Sequence, residues 1–215
     1  MYNCTKGKFK ANLWYKYMKN QAKKGEYLDI LLRSKKTIFS LKDVVLLWRE
    51  SNIKATKVRL SYYIRNKKLI RLHRGLYAKD KNYNKYEVAV KLLTPSYVSF
   101  ESVLGSNGIT FQYYEQIFVA SYIKREIVCD NQKYSFRRIK KSILINPIGI
   151  DQNNEYSIAT KERAFLDTIY RSKDYHFDNL SSINWDKVFE ILPIYENKKM
   201  ERKVKKYYEE YKANK

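Results

Sequence analysis

The sequence has little cysteine, little histidine and no long apolar run, and each shortage removes a class of protein. Two cysteines, Cys4 and Cys129, stand far apart among 215 residues. They make no disulfide framework and no redox or zinc motif, which fits a reducing compartment. With only two histidines besides, metal sites of the His/Cys type are excluded by count, and the expectation is no metal and no cofactor. Six glycines are dispersed, without the clustering that a phosphate-cradling loop needs. The first residues are basic but too poor in apolar side chains for a signal peptide or a transmembrane helix. The expected protein is therefore cytoplasmic, with no membrane partner.

Acidic residues are also scarce, and unevenly so. Lys and Arg number 44 against 22 Asp and Glu, a formal net charge of +22 that repels itself in the compact state and attracts polyanions. Residues 1–85 hold 23 basic against 5 acidic residues, a net of +18, whereas the remainder holds 21 against 17, a net of +4. Lysine alone is weak evidence, because A/T-rich codons raise Lys, Asn, Ile and Tyr together. The arginines, and the absence of any Asp or Glu from Ser51 to Lys79, do not follow from codon bias.

On a helical wheel starting at Ile53, Lys54, Lys57, Ser61, Arg65 and Lys68 form one stripe at spacings of three and four, with Leu60, Tyr63 and Ile64 turned inward. Arg59 and Tyr62 fall between the two faces. Alternating apolar and basic residues follow in Leu69, Ile70, Arg71, Leu72, His73 and Arg74; Gly75 permits a turn, and Leu76, Tyr77 and Ala78 return as a strand. His73 fits a hairpin residue near phosphate better than a catalytic base, since neither nucleophile nor carboxylate accompanies it. Upstream, Leu28, Leu31 and Leu32 give one helix. Leu41, Val44, Val45 and Trp48 give a second, capped by Ser40 with Asp43 three residues on, and Ser51-Asn52 supplies the turn into the third.

Three helices and a hairpin, basic on the third helix and the hairpin, are what a winged helix-turn-helix presents to DNA. The expected architecture is α+β: a basic N-terminal arm over 1–25, a winged helix-turn-helix domain over 26–82, and over 83–215 a mixed α/β domain with a small antiparallel sheet and C-terminal helices. Within the last, helices are expected over 86–93, 99–104, 161–170, 185–192 and 196–215. Strands are expected over 117–122, 126–129, 134–139, 143–145 and 156–159, with a turn at Asp130-Asn131.

Acids such as Glu101, Glu115, Glu162 and Asp167 invite a nuclease or nucleotidyltransferase reading, but their spacing does not support it. Gly105-Ser106 resembles the start of a nucleotidyltransferase signature, yet no Asp-x-Asp pair follows. Nor does any stretch supply the Asp/Glu-x-Lys of a metal nuclease. No enzyme is expected. Two alternatives stay open: a DNA- or RNA-processing enzyme delivered by a basic head, and an RNA-binding module that uses the tyrosine-rich basic surface.

Four stretches, SLKDVVLLW, RLSYYIRNKKLIRLHRGLYAKD, TPSYVSFESVLGSNGITFQ and YSIATKERAFLDTIY, carry a resemblance to the antitoxins of abortive-infection type IV toxin–antitoxin systems, the AbiEi-like family. The resemblance spans about residues 36–172. It implies a winged-helix transcriptional repressor of its own operon, acting on double-stranded promoter DNA with inverted repeats. It further implies a phage-defence antitoxin that counteracts a nucleotidyltransferase toxin without a stable complex. Lys57, Arg59, Tyr62, Arg65, Arg71, His73 and Arg74 would then be DNA contacts, while Ser99, Glu101, Ser102, Glu162, Arg163 and Asp167 mark motifs with no assigned role. The basic aromatic arm before Gly25 and the high positive charge depart from the family pattern. Those departures leave open DNA contacts beyond the helix and wing; a winged-helix transcriptional regulator with no antitoxin role is a further alternative.

Overall fold

The computed structural model describes residues 22, 25–152 and 155–213, so the expected basic arm lies almost wholly outside the described residues. The fold is mixed α+β, and the chain divides into two compact units between Asn84 and Lys85. The first unit runs α1 (Glu26–Arg33), β1 (Ile38–Ser40), α2 (Leu41–Trp48), α3 (Ile53–Arg65), β2 (Ile70–His73) and β3 (Leu76–Ala78), with the three strands antiparallel in the order β1-β3-β2.

Local chemistry accounts for most of these boundaries. Ser40 and Asp43 form a reciprocal capping box: the Asp43 N–H donates to Ser40 Oγ, and the Ser40 N–H donates to Asp43 Oδ2 at 2.8 Å. Asn52 caps α3 by accepting the Ala55 N–H. Both α2 and α3 close on a non-glycine residue in the left-handed region, Arg49 at φ 50 and Lys67 at φ 55. Each ending carries the two backbone bonds of a Schellman motif, Glu50 N–H to Val45 O with Arg49 N–H to Leu46 O, and Lys68 N–H to Tyr63 O with Lys67 N–H to Ile64 O. The second of these endings corrects the sequence expectation for Lys68. It leaves the helix after Arg65 and sits on the link to β2, off the helical stripe.

Leu31, Phe39, Val44, Trp48, Leu60, Leu69 and Tyr77 make the core of this unit. Trp48 anchors it, donating Nε1–H to the Tyr27 carbonyl at 2.7 Å and meeting the Tyr27 ring edge-on. Strand β1 was not expected. At three residues it offers no periodicity, although Ile38 and Phe39 are fully buried.

The second unit comprises α4 (Lys85–Leu92), β4 (Ser96–Val98), α5 (Glu101–Ser106), β5 (Ile117–Ser121), β6 (Arg125–Cys129), β7 (Gln132–Arg138), α6 (Lys141–Leu144), β8 (Ile150–Asp151), β9 (Ile158–Ala159), α7 (Lys161–Arg171), α8 (Trp185–Ile191), a short 3₁₀ turn (Leu192–Tyr195) and α9 (Lys198–Ala213). Its sheet is larger than expected and is not purely antiparallel. Six strands run in the order β6-β7-β5-β4-β9-β8, with β5–β7 and β4–β9 parallel. Central β5 is buried at every residue, as a strand covered on both faces must be. Asp130 and Asn131 both take positive φ, the geometry of a two-residue type I′ hairpin joining β6 to β7. The strand expected over 143–145 is instead the end of a helical turn. Lys141–Leu144 form one helical turn, which buries Ile143 and Leu144 together.

Candidate nucleic-acid interface

Helix α3 presents one broad exposed face. Ile53, Lys54, Lys57, Val58, Ser61, Tyr62 and Arg65 are all exposed, while Thr56 and Leu60 are buried behind them. Thirteen residues at about 1.5 Å each make this face about 20 Å long. Past the helix, Lys68, Arg71, His73 and Arg74 are exposed as well, the last three on the β2–β3 hairpin, whose turn holds Gly75 at φ 76. That turn is tied to the unit by the Leu41 N–H, which donates to Gly75 O at 3.0 Å. Of the ten residues expected here, nine stand on an exposed surface.

Arg59 is the exception. It is half-buried, ion-paired through Nη1 to Glu50 Oε2, and stacked over the Tyr27 ring at 4.3 Å. The other oxygen of Glu50 accepts the Asn52 N–H at 3.0 Å. That backbone hydrogen bond, with the Arg59 guanidinium behind it, holds the Glu50 carboxyl below its ordinary range, against the upward push of burial. Arg59 therefore fixes α3 to the turn before it and to α1. The exposed apolar residues Ile53 and Val58, which sequence reasoning did not single out, lie among the cations. Their signal was available on the wheel, where Ile53 and Lys57, and Lys54 and Val58, are neighbours at a spacing of four.

In the second unit the motif residues divide between two places. Ser99, Arg163 and Asp167 meet in a fully buried network with Tyr97 and Tyr195. Asp167 accepts hydroxyl hydrogen bonds from Tyr97 at 2.9 Å, Ser99 at 2.8 Å and Tyr195 at 2.7 Å, and its Oδ1 lies 3.4 Å from Arg163 Nε. Arg163 also donates to the carbonyls of Ile143 and Ile148 and to the Tyr97 hydroxyl. Burial pushes the Asp167 carboxyl up, opposed by Arg163 and by the three hydroxyls, while burial and then the Asp167 charge push the Tyr97 and Tyr195 hydroxyls far up. Both tyrosines therefore stay protonated donors. Glu162, also buried, accepts the Asn184 N–H ahead of α8.

The remaining two, Glu101 and Ser102, sit at the start of α5. Glu101 is 7% exposed and pairs both carboxylate oxygens with Arg137 Nη1, at 3.0 and 2.7 Å. Arg137 in turn lies over the Phe118 ring at 4.1 Å. Ser102 Oγ accepts the Phe118 N–H, joining α5 to β5. Sequence reasoning missed Tyr97, Tyr195 and Arg137, all distant in the chain from the residues they serve.

Among the described residues no group of three or more His, Cys, Asp or Glu could hold a metal ion, and no helix is long and apolar enough to cross a membrane. In comparisons with known proteins, no family model matches the chain and no curated protein matches its sequence.

Proposed function

We propose that residues 26–82 are a winged helix-turn-helix that binds double-stranded DNA, with α3 in the major groove and the β2–β3 hairpin as the wing. One observation carries this reading: the cations of α3 and the hairpin, Arg59 apart, are each exposed, and they come from a stretch without a single carboxylate. A helix with its side chains is about 10–12 Å across and the major groove about 12 Å wide, so the exposed face of α3 fits. Arg65 is the residue placed to read guanine edges, and Val58 and Tyr62 offer apolar contact to thymine methyl groups. Lys54, Lys57, Lys68, Arg71, His73 and Arg74 fix register on phosphates.

The element order helix, strand, helix, helix, strand, strand supports the same reading, because it returns the hairpin to the core that α3 also packs on, with Leu60 and Tyr77 in one cluster. If about six phosphates are engaged, the log-log salt slope of the affinity is near −5. Titrating DNA from upstream of the protein's own reading frame against salt, for wild type and an Arg65→Ala, Arg74→Ala double variant, tests it. The double variant binds more weakly with a shallower slope; unchanged affinity would overturn the assignment.

The resemblance extends the proposal to autorepression at inverted repeats and to an antitoxin that counteracts a nucleotidyltransferase toxin, with no reaction of its own. That extension rests on the resemblance alone. Expressing the adjacent reading frame with and without this chain tests it, and growth arrest relieved by the chain is the expected result.

A further inference from the structure

Two buried polar side-chain atoms without a hydrogen-bond partner, Thr110 Oγ1 and Gln116 Oε1, belong to residues that line one pocket of about 270 Å³ in the second unit, which Glu101, held by Arg137, lines as well. Buried polar groups are almost always satisfied, so two on the residues of one pocket call for an explanation. The backbone is strained at the same place. Phe100, directly before Glu101, holds φ 57 and ψ −141, a region that side chains rarely adopt, and such outliers collect at ligand sites. Rings of Tyr86, Phe111, Tyr113 and Tyr114 complete the lining; Phe111 is 71% and Tyr113 84% exposed.

We propose that this pocket is a binding site for a nucleobase. Four features of the lining select that class. The Gln116 carbonyl is an unmatched acceptor and the Thr110 hydroxyl can accept as well, so the ligand presents N–H donors, as the Watson–Crick edges of adenine, guanine and cytosine do. Of the two carboxylates on the lining, Arg137 already balances Glu101 and Glu115 is exposed to screening by solvent, so an anion is disfavoured and a neutral ligand needs no counter-charge. Neither Lys nor Arg lines the pocket, so phosphates stay outside it. Aromatic rings at an exposed rim suit a flat heterocycle, on which bases stack irrespective of sequence. The volume lies just below the usual range of about 300–1,000 Å³ for small-molecule sites and takes a base or nucleoside in preference to anything larger.

The base can come from a free nucleoside or from a splayed single strand, and calorimetric titration of the full chain distinguishes the two. Adenosine, guanosine, cytidine and uridine, a single-stranded oligonucleotide and spermidine are titrated into wild type, Tyr113→Ala and Gln116→Leu. Saturable binding of at least one amino-bearing nucleoside is expected, weakened about ten-fold by Tyr113→Ala, which removes an exposed ring and no core contact. If that nucleoside binds as tightly as the oligonucleotide, the source is the free base. If the oligonucleotide binds more tightly and both variants weaken it, the source is a single strand. The proposal is overturned if no nucleoside and no oligonucleotide binds saturably at millimolar concentration. Binding that neither variant weakens, or spermidine bound in place of nucleosides, would overturn it equally. Duplex binding by the first unit is measured separately and is unaffected by either variant.

Discussion

Arginine serves two opposite purposes in this protein, and the functional candidates of the two units differ in which they use. In the first, Arg59 is clamped by Glu50 while Arg65, Arg71 and Arg74 face solvent; in the second, Arg137 and Arg163 are both sunk against carboxylates. The halves also differ in charge balance, +18 and +4. An arginine matched inside the fold holds elements together and shows little charge to a partner. One left outside adds nothing to the core and raises the local potential for a polyanion. The contrast separates stability from binding residue by residue, and it can be broken experimentally.

The sharpest test lies in the buried network. Replacing Asp167 by Ala strands the Arg163 guanidinium and removes the acceptor of three hydroxyls, all without access to water. Breaking a buried pair in this way costs about 3–5 kcal/mol, so Asp167→Ala lowers the urea midpoint of the second unit by a large margin. A loss below about 1 kcal/mol would show that the network can be rebuilt around water, and the contrast would fail.

Arg65→Ala and Arg71→Ala give the opposite pattern. Stability stays within about 0.5 kcal/mol of wild type, because both side chains are exposed. Duplex affinity falls, by about 1–3 kcal/mol where a guanine contact is lost and with a salt slope smaller by about one where a phosphate contact is lost. Unfolding curves and salt-dependent fluorescence anisotropy on the same preparations check both halves of the statement.

Arg59→Ala tests the contrast inside a single helix. Six residues from Arg65, Arg59 should behave like a body arginine: a stability loss of about 1 kcal/mol, since its side chain is a third exposed, with the salt slope of DNA binding unchanged. A reduced slope would return Arg59 to the phosphate-contacting set.

How much of this was legible in the sequence depends on distance along the chain. The Ser40/Asp43 box, the Ser51-Asn52 break between helices and the Asp130-Asn131 turn are chemistry within four residues, and each stands where the pattern puts it. Lys68 was misplaced on the helix because Lys67 occupies a left-handed position where glycine is the usual signal. The parallel pairings of β5 with β7 and of β4 with β9 left no trace, since register between strands is set by contacts that no local period encodes. Arg163 and Asp167 could be paired from their spacing of four. Tyr97, 70 residues before Asp167, could not be picked from 21 tyrosines. For the interface the exposed cations were readable. The withdrawal of Arg59 was not, because it depends on the sharp turn that carries Glu50 back toward α3.

The smallest expected effect follows from that turn and concerns pH. The Glu50 carboxyl is held below its unfolded value near 4.5, so its charged form stabilises the first unit. This contribution is fully present above the unfolded value and is lost as the pH falls through the depressed folded one. Protection factors of amides around Trp48 and Leu60 should therefore decline between about pH 5 and 3, by less than about 1 kcal/mol, and Glu50→Gln should flatten the decline. The Asp167 network cannot mimic this result: its carboxyl is pushed the other way by burial and lies in the other unit. A decline that survives Glu50→Gln would mean that another carboxylate of the first unit, such as Asp43 in its capping box, carries the acid sensitivity. The clamp on Arg59 would then be held by the Tyr27 ring and the packing of the turn more than by charge.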